Sequence, residues 1–389
     1  MQEPRIILHL DLDAFFCAVE EIKDPSLRGK AFAVGGDPRG RGVVSSCSYA
    51  ARKYGVHSAL PMAQAVQRCP HLIIVRGDHR RYSFYSRKVM GVLQELTDQV
   101  EKLSIDEAFV DLTELPQEPA EVGAELQGKI LQKLNLPNSV GIASNKLVAK
   151  IATDVGKLSA SGDSPPNALT VVPPGEEADF LAPLPVDMLW GVGPKTRQEL
   201  EALGVKTIGD LADVSPIELA RSLGKHGYQL SQRARGVDHR PIVTEREIKS
   251  ISHEHTFRQD KDRRGELTDE INRLAGKVSR RLHKKQLQGK TIQLKLRWSD
   301  FSTLTRQVTL ERPVQDAQMI ARHSRGLFDQ VWEDGRRVRL IGVGVSNLEN
   351  PQRQLGLWDP RVEKDLKLQE TLRELKDKFG EGSIQQGLE

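Results

Sequence analysis

The chain has 389 residues, 38% of them apolar, and a formal net charge of +4 at pH 7, a length at which several domains with true hydrophobic cores are expected. No apolar run approaches the roughly 18 residues of a membrane-spanning helix, and Met1-Gln2-Glu3-Pro4 lacks the pattern of a secretory leader, so a cytoplasmic protein without a membrane partner is expected. Cys17, Cys47 and Cys69 are too few and too irregularly spaced for a disulfide framework or a zinc site, which leaves them as small buried side chains.

In chain order, Arg5 to Leu10 is a short apolar-rich run that predicts a buried strand. It ends at Asp11-Leu12-Asp13, and Ala14 to Glu21 then opens with helical spacing. Gly35, Gly36, Gly40 and Gly42 mark a turn between strands. A helix starting near Ser48 places Tyr49 and Arg52, three apart, on one face. From residue 77 a helix carries Tyr82, Tyr85 and Val89 on one side. In the following stretch, Leu103 to Leu112, two adjacent acids interrupt an apolar run and the apolar parity changes at them: Leu103 and Ile105 before, Ala108, Val110 and Leu112 after. Neighbouring residues of a strand point to opposite faces, so a hairpin turn near 104–107 accounts for the change and brings Asp106 and Glu107 to one end of a sheet. A helix over 119–134, a strand over 138–143 and a helix opening at Asn145 complete a β-α-β-β-α-β order of ferredoxin-like type, which sets Asp11 beside the hairpin acids. An isolated Asp-Glu pair is ordinarily an exposed acidic turn; a further acid at a neighbouring strand end points instead to a divalent cation. Magnesium suits hard oxygen ligands and phosphate partners, and no Cys/His cluster competes for the assignment.

Proline pairs at 165–166 and 173–174 bound a helical section reaching about 236. In it, Gly191-Val192-Gly193-Pro194-Lys195-Thr196 resembles the hairpin of a helix-hairpin-helix motif, where glycines let backbone N–H groups approach a phosphate. A plain connector between helices is the alternative; Gly224-Lys225-His226-Gly227 before a second basic helix favours duplex contact. Residues 237–248 show no helical period and predict an extended linker. A second β-α-β-β-α-β unit follows: a strand over 248–257, a basic helix over 263–287, strands over 292–298 and 303–310, a helix over about 314–332 and a strand over 338–345. Alternation in the 292–298 strand buries Ile292, Leu294, Leu296 and Trp298 and turns Lys295 and Arg297 outward. Residues 245–350 hold 22 Lys and Arg against 15 Asp and Glu, so the basic surplus of the whole chain lies here.

Together, DLDAFFCAVEE from Asp11 and SIDEAFVDL from Ser104 strongly resemble the two palm signatures of Y-family translesion DNA polymerases, and further matches cover most of the chain. The resemblance implies an α+β right-hand polymerase: a ferredoxin-like palm (1–15 and 77–166), small fingers (16–76), a helical thumb with the helix-hairpin-helix (167–236), the linker (237–248), a β-α-β-β-α-β little finger (249–349) and a C-terminal tail (350–389). By the same resemblance Asp11 and Asp106 bridge two Mg2+ ions, Glu107 binds the one activating the primer hydroxyl, and the Leu12 carbonyl helps hold the nucleotide-bound ion. Asp13 is not a ligand in that motif. Tyr49 and Arg52, matching a YxAR pattern, and Lys157 would hold the dNTP triphosphate, where a planar guanidinium bridges phosphate oxygens. Phe15 and Phe16 would belong to the nucleotide-binding set, with Phe16 beneath the incoming sugar as the gate against a 2′ hydroxyl. Val43 and Ala59, both small, would roof the nascent pair and make the site permissive. Gly191, Gly193, Lys195, Lys295 and Arg297 would grip primer–template DNA by its backbone. Gln354-Leu355-Gly356-Leu357-Trp358 resembles the bacterial sliding-clamp peptide, with Gln354, Leu355, Leu357 and Trp358 as anchors, although Trp358 replaces the usual Phe and the peptide precedes a tail.

The reaction so implied is in-line attack of a primer 3′ hydroxyl on the α-phosphorus of a dNTP, with two metal ions about 4 Å apart stabilising the attacking and leaving oxygens. The implied protein is an error-prone, lesion-bypassing, template-dependent polymerase, expected to be monomeric. A non-catalytic DNA-binding scaffold is the alternative; uncompensated carboxylates beside DNA phosphates argue against it. A nucleotidyl cyclase shares the two-metal palm and leaves the hairpin helices, linker and basic second unit without a purpose.

Overall fold

The computed structural model describes residues 5–159, 162, 164–351 and 371; the proposed clamp anchors Gln354, Leu355, Leu357 and Trp358 lie outside them. The chain divides into two compact units, Met1–Glu247 and Ile248–Glu389. Among the described residues no helix is long and apolar enough to cross a membrane, and the three cysteines are free and buried.

The first unit runs β1 (Ile7–Leu12), α1 (Phe15–Lys23), β2 (Phe32–Gly35), β3 (Val44–Cys47), α2 (Tyr49–Arg52), α3 (Met62–Arg68), β4 (Ile73–Val75), α4 (His79–Gln94), β5 (Val100–Lys102), β6 (Glu107–Asp111), α5 (Pro119–Leu134), β7 (Asn138–Ala143), α6 (Lys146–Ser159) and β8 (Leu169–Val171). Five short helices follow: α7 (Glu177–Leu181), α8 (Pro194–Ala202), α9 (Ile208–Asp213), α10 (Pro216–Leu223) and α11 (Lys225–Ala234). The main sheet has the order β5-β6-β1-β7-β8. Its centre, β1, pairs antiparallel with β6 and with β7.

Strand alternation sorts β1 onto two cores. Leu8, Leu10 and Leu12 join Ala108, Val110, Val140 and Ile142 under α4 and α5. Ile7 and Phe109 face the other way, toward α6 residues Leu147, Val148 and Ile151 and the short helices, whose Leu181, Leu200 and Leu230 continue that core. Asp11 and Glu107 have the parity of Ile7 and Phe109 and therefore point to the α6 side. A smaller sheet, β3-β2-β4, has its own core around Ala33, Val44, Met62 and Cys69. Its loop closes only with glycine at position 35, where a Cβ would lie 2.3 Å from the Val43 carbonyl oxygen.

The linker residues carry no helix or strand, but 237–247 belong to the first unit and are held there by side chains of the palm. The second unit runs β9 (Ser250–Lys261), α12 (Arg264–Lys284), β10 (Gln288–Trp298), β11 (Thr303–Val314), α13 (Ala317–Asp329) and β12 (Val338–Glu349), in sheet order β11-β10-β12-β9. Ile292, Leu294, Leu296 and Trp298 are buried against Leu267, Ile271, Leu274 and Phe328 of the two helices. The opposite face of the sheet is polar and open.

Candidate active site

Strand β1 ends in a tight turn because Ala14 adopts a left-handed conformation (φ 45°) and caps α1, an uncommon backbone for a residue with a Cβ. Asp11 thus stands at the sheet's end with Phe15 and Phe16 immediately beyond it. Cα register pairs Asp11 with Glu107, and the Leu12 amide donates to the Asp106 carbonyl (3.1 Å), so all three acids meet at one corner. Ser104 shapes the hairpin turn: its hydroxyl accepts from the amides of Asp106 (3.1 Å) and Glu107 (3.0 Å) and donates to the Asp106 carboxylate. The Leu12 side chain is buried in the core, which leaves its main chain for any contact with a ligand.

Helix α6 supplies the counter-charges. Lys157 Nζ lies 2.5 Å from Asp11 and 3.3 Å from Asp13, and Lys150 Nζ lies 2.7 Å from Glu107. Asp13 is fully buried and also accepts from the Ser139 hydroxyl and the Asn167 amide (3.1 Å). This carboxylate ties β1 to β7 and to the chain beyond α6.

Burial, only partly offset by Lys157, together with the charges of Glu107 and Asp106, pushes the Asp11 carboxyl up to about 7. A divalent cation bound beside it would favour its ionised form. Among the described residues no three acidic, His or Cys side chains already converge as a metal cage, because Lys157, Lys150 and Ser104 each draw one carboxylate its own way. The donor set nonetheless fits magnesium: three carboxylates at one sheet corner, hard oxygens only, with two ammonium groups standing where cationic charge is called for.

The fingers residues approach the same corner. Ser48 caps α2 by accepting from the Ala51 amide, and the Arg52 guanidinium lies 4.2 Å from the Tyr49 ring centroid. Burial and the charges of Asp13 and Asp11 push the Tyr49 phenol well up from its ordinary value, although Arg52 opposes them; the acids' field reaches this ring. Phe16 stacks on Tyr82 (centroids 4.2 Å apart, planes at 12°) and lines a cleft of about 260 Å3 with Val34, Gly35, Arg76 and His79. Phe15, by contrast, is buried, only 2% exposed, so it supports Phe16 from beneath and has little surface to offer a ligand. Val43 is 48% exposed, and Ala59, held at φ 68°, donates its amide to the Val44 carbonyl (2.9 Å).

Gly191 is in the left-handed region (φ 112°), and its turn is braced by α11: Arg233 donates to the Trp190 carbonyl (2.9 Å), and the His226 ring nitrogen lies 3.2 Å from the Gly191 carbonyl. Gly193 caps α8 and Lys195 is exposed in its first turn. In the second unit Lys295 and Arg297 both lie on the open sheet face, but Lys295 is engaged by both oxygens of Glu254 (2.9 and 3.0 Å), and Arg297 donates to the Thr303 hydroxyl (2.8 Å). Sequence reasoning missed Lys150 and Ser104. The first carried a usable signal, since residues 150 and 157 lie two helical turns apart on one face of α6.

Comparison with known proteins gives this arrangement its family. Residues 10–154 match the impB/mucB/samB family, residues 174–205 the IMS family HHH motif, and residues 248–357 the impB/mucB/samB family C-terminal domain. The chain is 38% identical over 387 residues to a DNA polymerase IV of Dehalococcoides mccartyi, covering 98% of this chain and 97% of that one. It is 40% identical over 352 residues to that of Streptococcus agalactiae, covering 89% and 94%. For the Streptomyces coelicolor DNA polymerase IV the figures are 45% over 355 residues, 90% and 72%. Among solved structures, the Y-family DNA polymerase chimera Dbh-Dpo4(243-245)-Dbh superposes with a TM-score of 0.78 at 27% identity, covering 89% of this chain and 99% of that one. With its sheet corner of acids, its hairpin and its second sheet unit all falling inside these matches, the chain belongs to the impB/mucB/samB family of Y-family DNA polymerases, in the DNA polymerase IV class, and is a DNA-directed DNA polymerase.

Proposed function

We propose that this polymerase extends primers on damaged as well as intact templates, with low fidelity, by two-metal nucleotidyl transfer. The observation that carries the reading is the meeting of Asp11, Asp106 and Glu107 at one end of β1 and β6, with Lys150 and Lys157 beside them. Asp11, Asp106 and Glu107, with the Leu12 carbonyl, would hold two magnesium ions, whose charge when bound stabilises the attacking and leaving oxygens. Lys157, next to Asp11, would contact a phosphate oxygen of the bound nucleotide. Tyr49 and Arg52 hold the triphosphate from the fingers side, and their mutual stacking presents the guanidinium in one orientation. Phe16 excludes a ribose 2′ hydroxyl by occupying its volume, braced by Tyr82 so that the ring does not swing aside.

Low fidelity follows from the roof. Val43 and Ala59 offer little van der Waals enclosure of the nascent pair, so a distorted pair meets weak resistance. Primer–template DNA is gripped through backbone contacts by the Gly191–Lys195 turn and by Lys295 and Arg297. The protein acts as a cytoplasmic monomer that reaches primer ends through a sliding-clamp peptide at 354–358. Primer extension on a defined template with magnesium and single dNTPs tests the reading: templated, magnesium-dependent incorporation that continues past a minor-groove guanine adduct is expected. Incorporation that ignores the template, or fidelity equal to that of a replicative enzyme, would refute it.

A further inference from the structure

Glu101 is an acid where the fold asks for an apolar residue. It lies on β5 opposite Phe109, on the parity of the α6-side core, and is 1% exposed. Nothing in the polymerase motif uses it, yet three donors converge on it: Lys146 Nζ at 2.8 Å, the Val243 amide at 2.9 Å and the Arg246 guanidinium. Two of the three belong to the linker. Lys146, itself buried, also donates to the Pro241 carbonyl (2.8 Å), so one ammonium group joins the palm acid to the linker backbone.

We infer that Glu101 is a positioning residue, a buried charge that latches the linker to the palm and thereby shortens the tether on which the second unit acts on DNA; this rests on the reading that the second unit grips the template duplex. A buried carboxylate without its partners is costly, so the carboxylate and the linker donors satisfy one another only when the linker is docked. Upstream the linker is held independently: Asp238 accepts from the Leu147 amide (3.1 Å) and Arg5 donates to the Asp238 and Arg240 carbonyls (3.0 and 3.1 Å). The Glu101 latch therefore governs the stretch after Ile242. With it closed, only residues 247–249 lie free between Arg246 and the start of β9 at Ser250. With it open, the free segment begins at Val243, since Ile242 packs on the α6-side core. Lengthening the tether from three to seven residues lowers the effective concentration of a tethered module by roughly three- to fourfold, by the three-halves-power dependence on length.

The test uses the full chain with Glu101→Gln, which keeps shape and removes charge, and with Arg246→Ala, whose half-exposed side chain is removed without touching the palm core. Hydrogen exchange of the Val243 amide should accelerate about tenfold or more in both variants, because that amide is held by Glu101. Affinity for a primer–template duplex, read by fluorescence anisotropy, should fall roughly three- to fourfold in Glu101→Gln, while incorporation at saturating duplex stays within about twofold of the parent. Unchanged exchange at Val243 in both variants overturns the latch. Faster exchange with unchanged duplex affinity overturns the positioning role. A failure of the reading beneath it shows separately, as unchanged duplex affinity in a Lys295→Ala, Arg297→Ala double variant whose Val243 amide exchanges as in the parent.

Discussion

The two units use the same β-α-β-β-α-β order of elements and thread it differently. In the palm the first strand is central, flanked by β6 and β7, whereas in the second unit the first strand, β9, is the edge and β10 and β12 hold the middle. A central first strand places its end, and so Asp11, beside the hairpin that follows the second strand. An edge first strand has only one neighbour, β12, and no comparable corner. The second unit instead exposes one broad sheet face, bearing Lys295, Arg297 and hydroxyl side chains from β11. On its central strand are Gly342 and Gly344, where added Cβ atoms would meet Glu254 and Ser252 at 2.8 and 3.1 Å. Strand order, more than element order, separates a site that concentrates charge at a point from a surface that spreads it.

The comparison breaks if chemistry and grip do not separate. Asp106→Ala or Glu107→Ala should abolish incorporation, a loss of several orders of magnitude typical of removing a transition-state charge stabiliser, while duplex affinity stays nearly that of the parent; single-turnover incorporation and anisotropy check both, and incorporation within tenfold of the parent in both variants would end the assignment. Next in size is sugar selection, which is expected to belong to the first unit alone. Phe16→Ala should raise ribonucleotide incorporation far more than it lowers dNTP use, measured as the ratio of kcat/KM for the two. Replacing Leu357 and Trp358 by Ala should remove stimulation by a loaded clamp and leave clamp-free extension equal, which would separate processivity from both the acid corner and the sheet face. The smallest effect is expected in the second unit: Lys295→Ala with Arg297→Ala should weaken duplex binding several-fold and reduce the salt slope by about one per lost phosphate contact, with the rate at saturating DNA unchanged. A full collapse of the catalytic rate in that variant would blur the contrast.

Much of this was legible because local pattern and global fold agree. The parity change across Leu103–Leu112 located the turn that the structure places between β5 and β6, and the helices over 119–134 and 145 onward, the strand over 138–143 and the alternation of Ile292 to Trp298 were readable from spacing. Strand ends were less so: β9 extends to Lys261, β11 to Val314 and β12 to Glu349, since charged, exposed strand residues carry no hydrophobic period. Strand order in the second unit could not be read, because it follows from how two helices pack on one face and not from the order of elements. Lys150 escaped notice as an ordinary helix lysine, and Glu101 because an acid between Val100 and Lys102 looks like a solvated edge until the linker is seen to cover it. The extended character of the linker was readable, but its docking on the palm was not, because hydrogen bonds to its backbone leave no trace in composition.

The left-handed turn at Ala14 ties two chemical demands to one short piece of backbone. Asp11 and Phe16 are five residues apart across it, one a carboxylate at the sheet corner and the other the ring stacked on Tyr82. With Asp11 as metal ligand and Phe16 as gate, a shift of that backbone moves both at once. Nucleotide choice and catalytic rate are then not independently adjustable by backbone drift in this lineage: relaxing the turn to admit a larger sugar would also displace the acid. A change of the ring, or of Tyr82 that braces it, would alter selectivity alone.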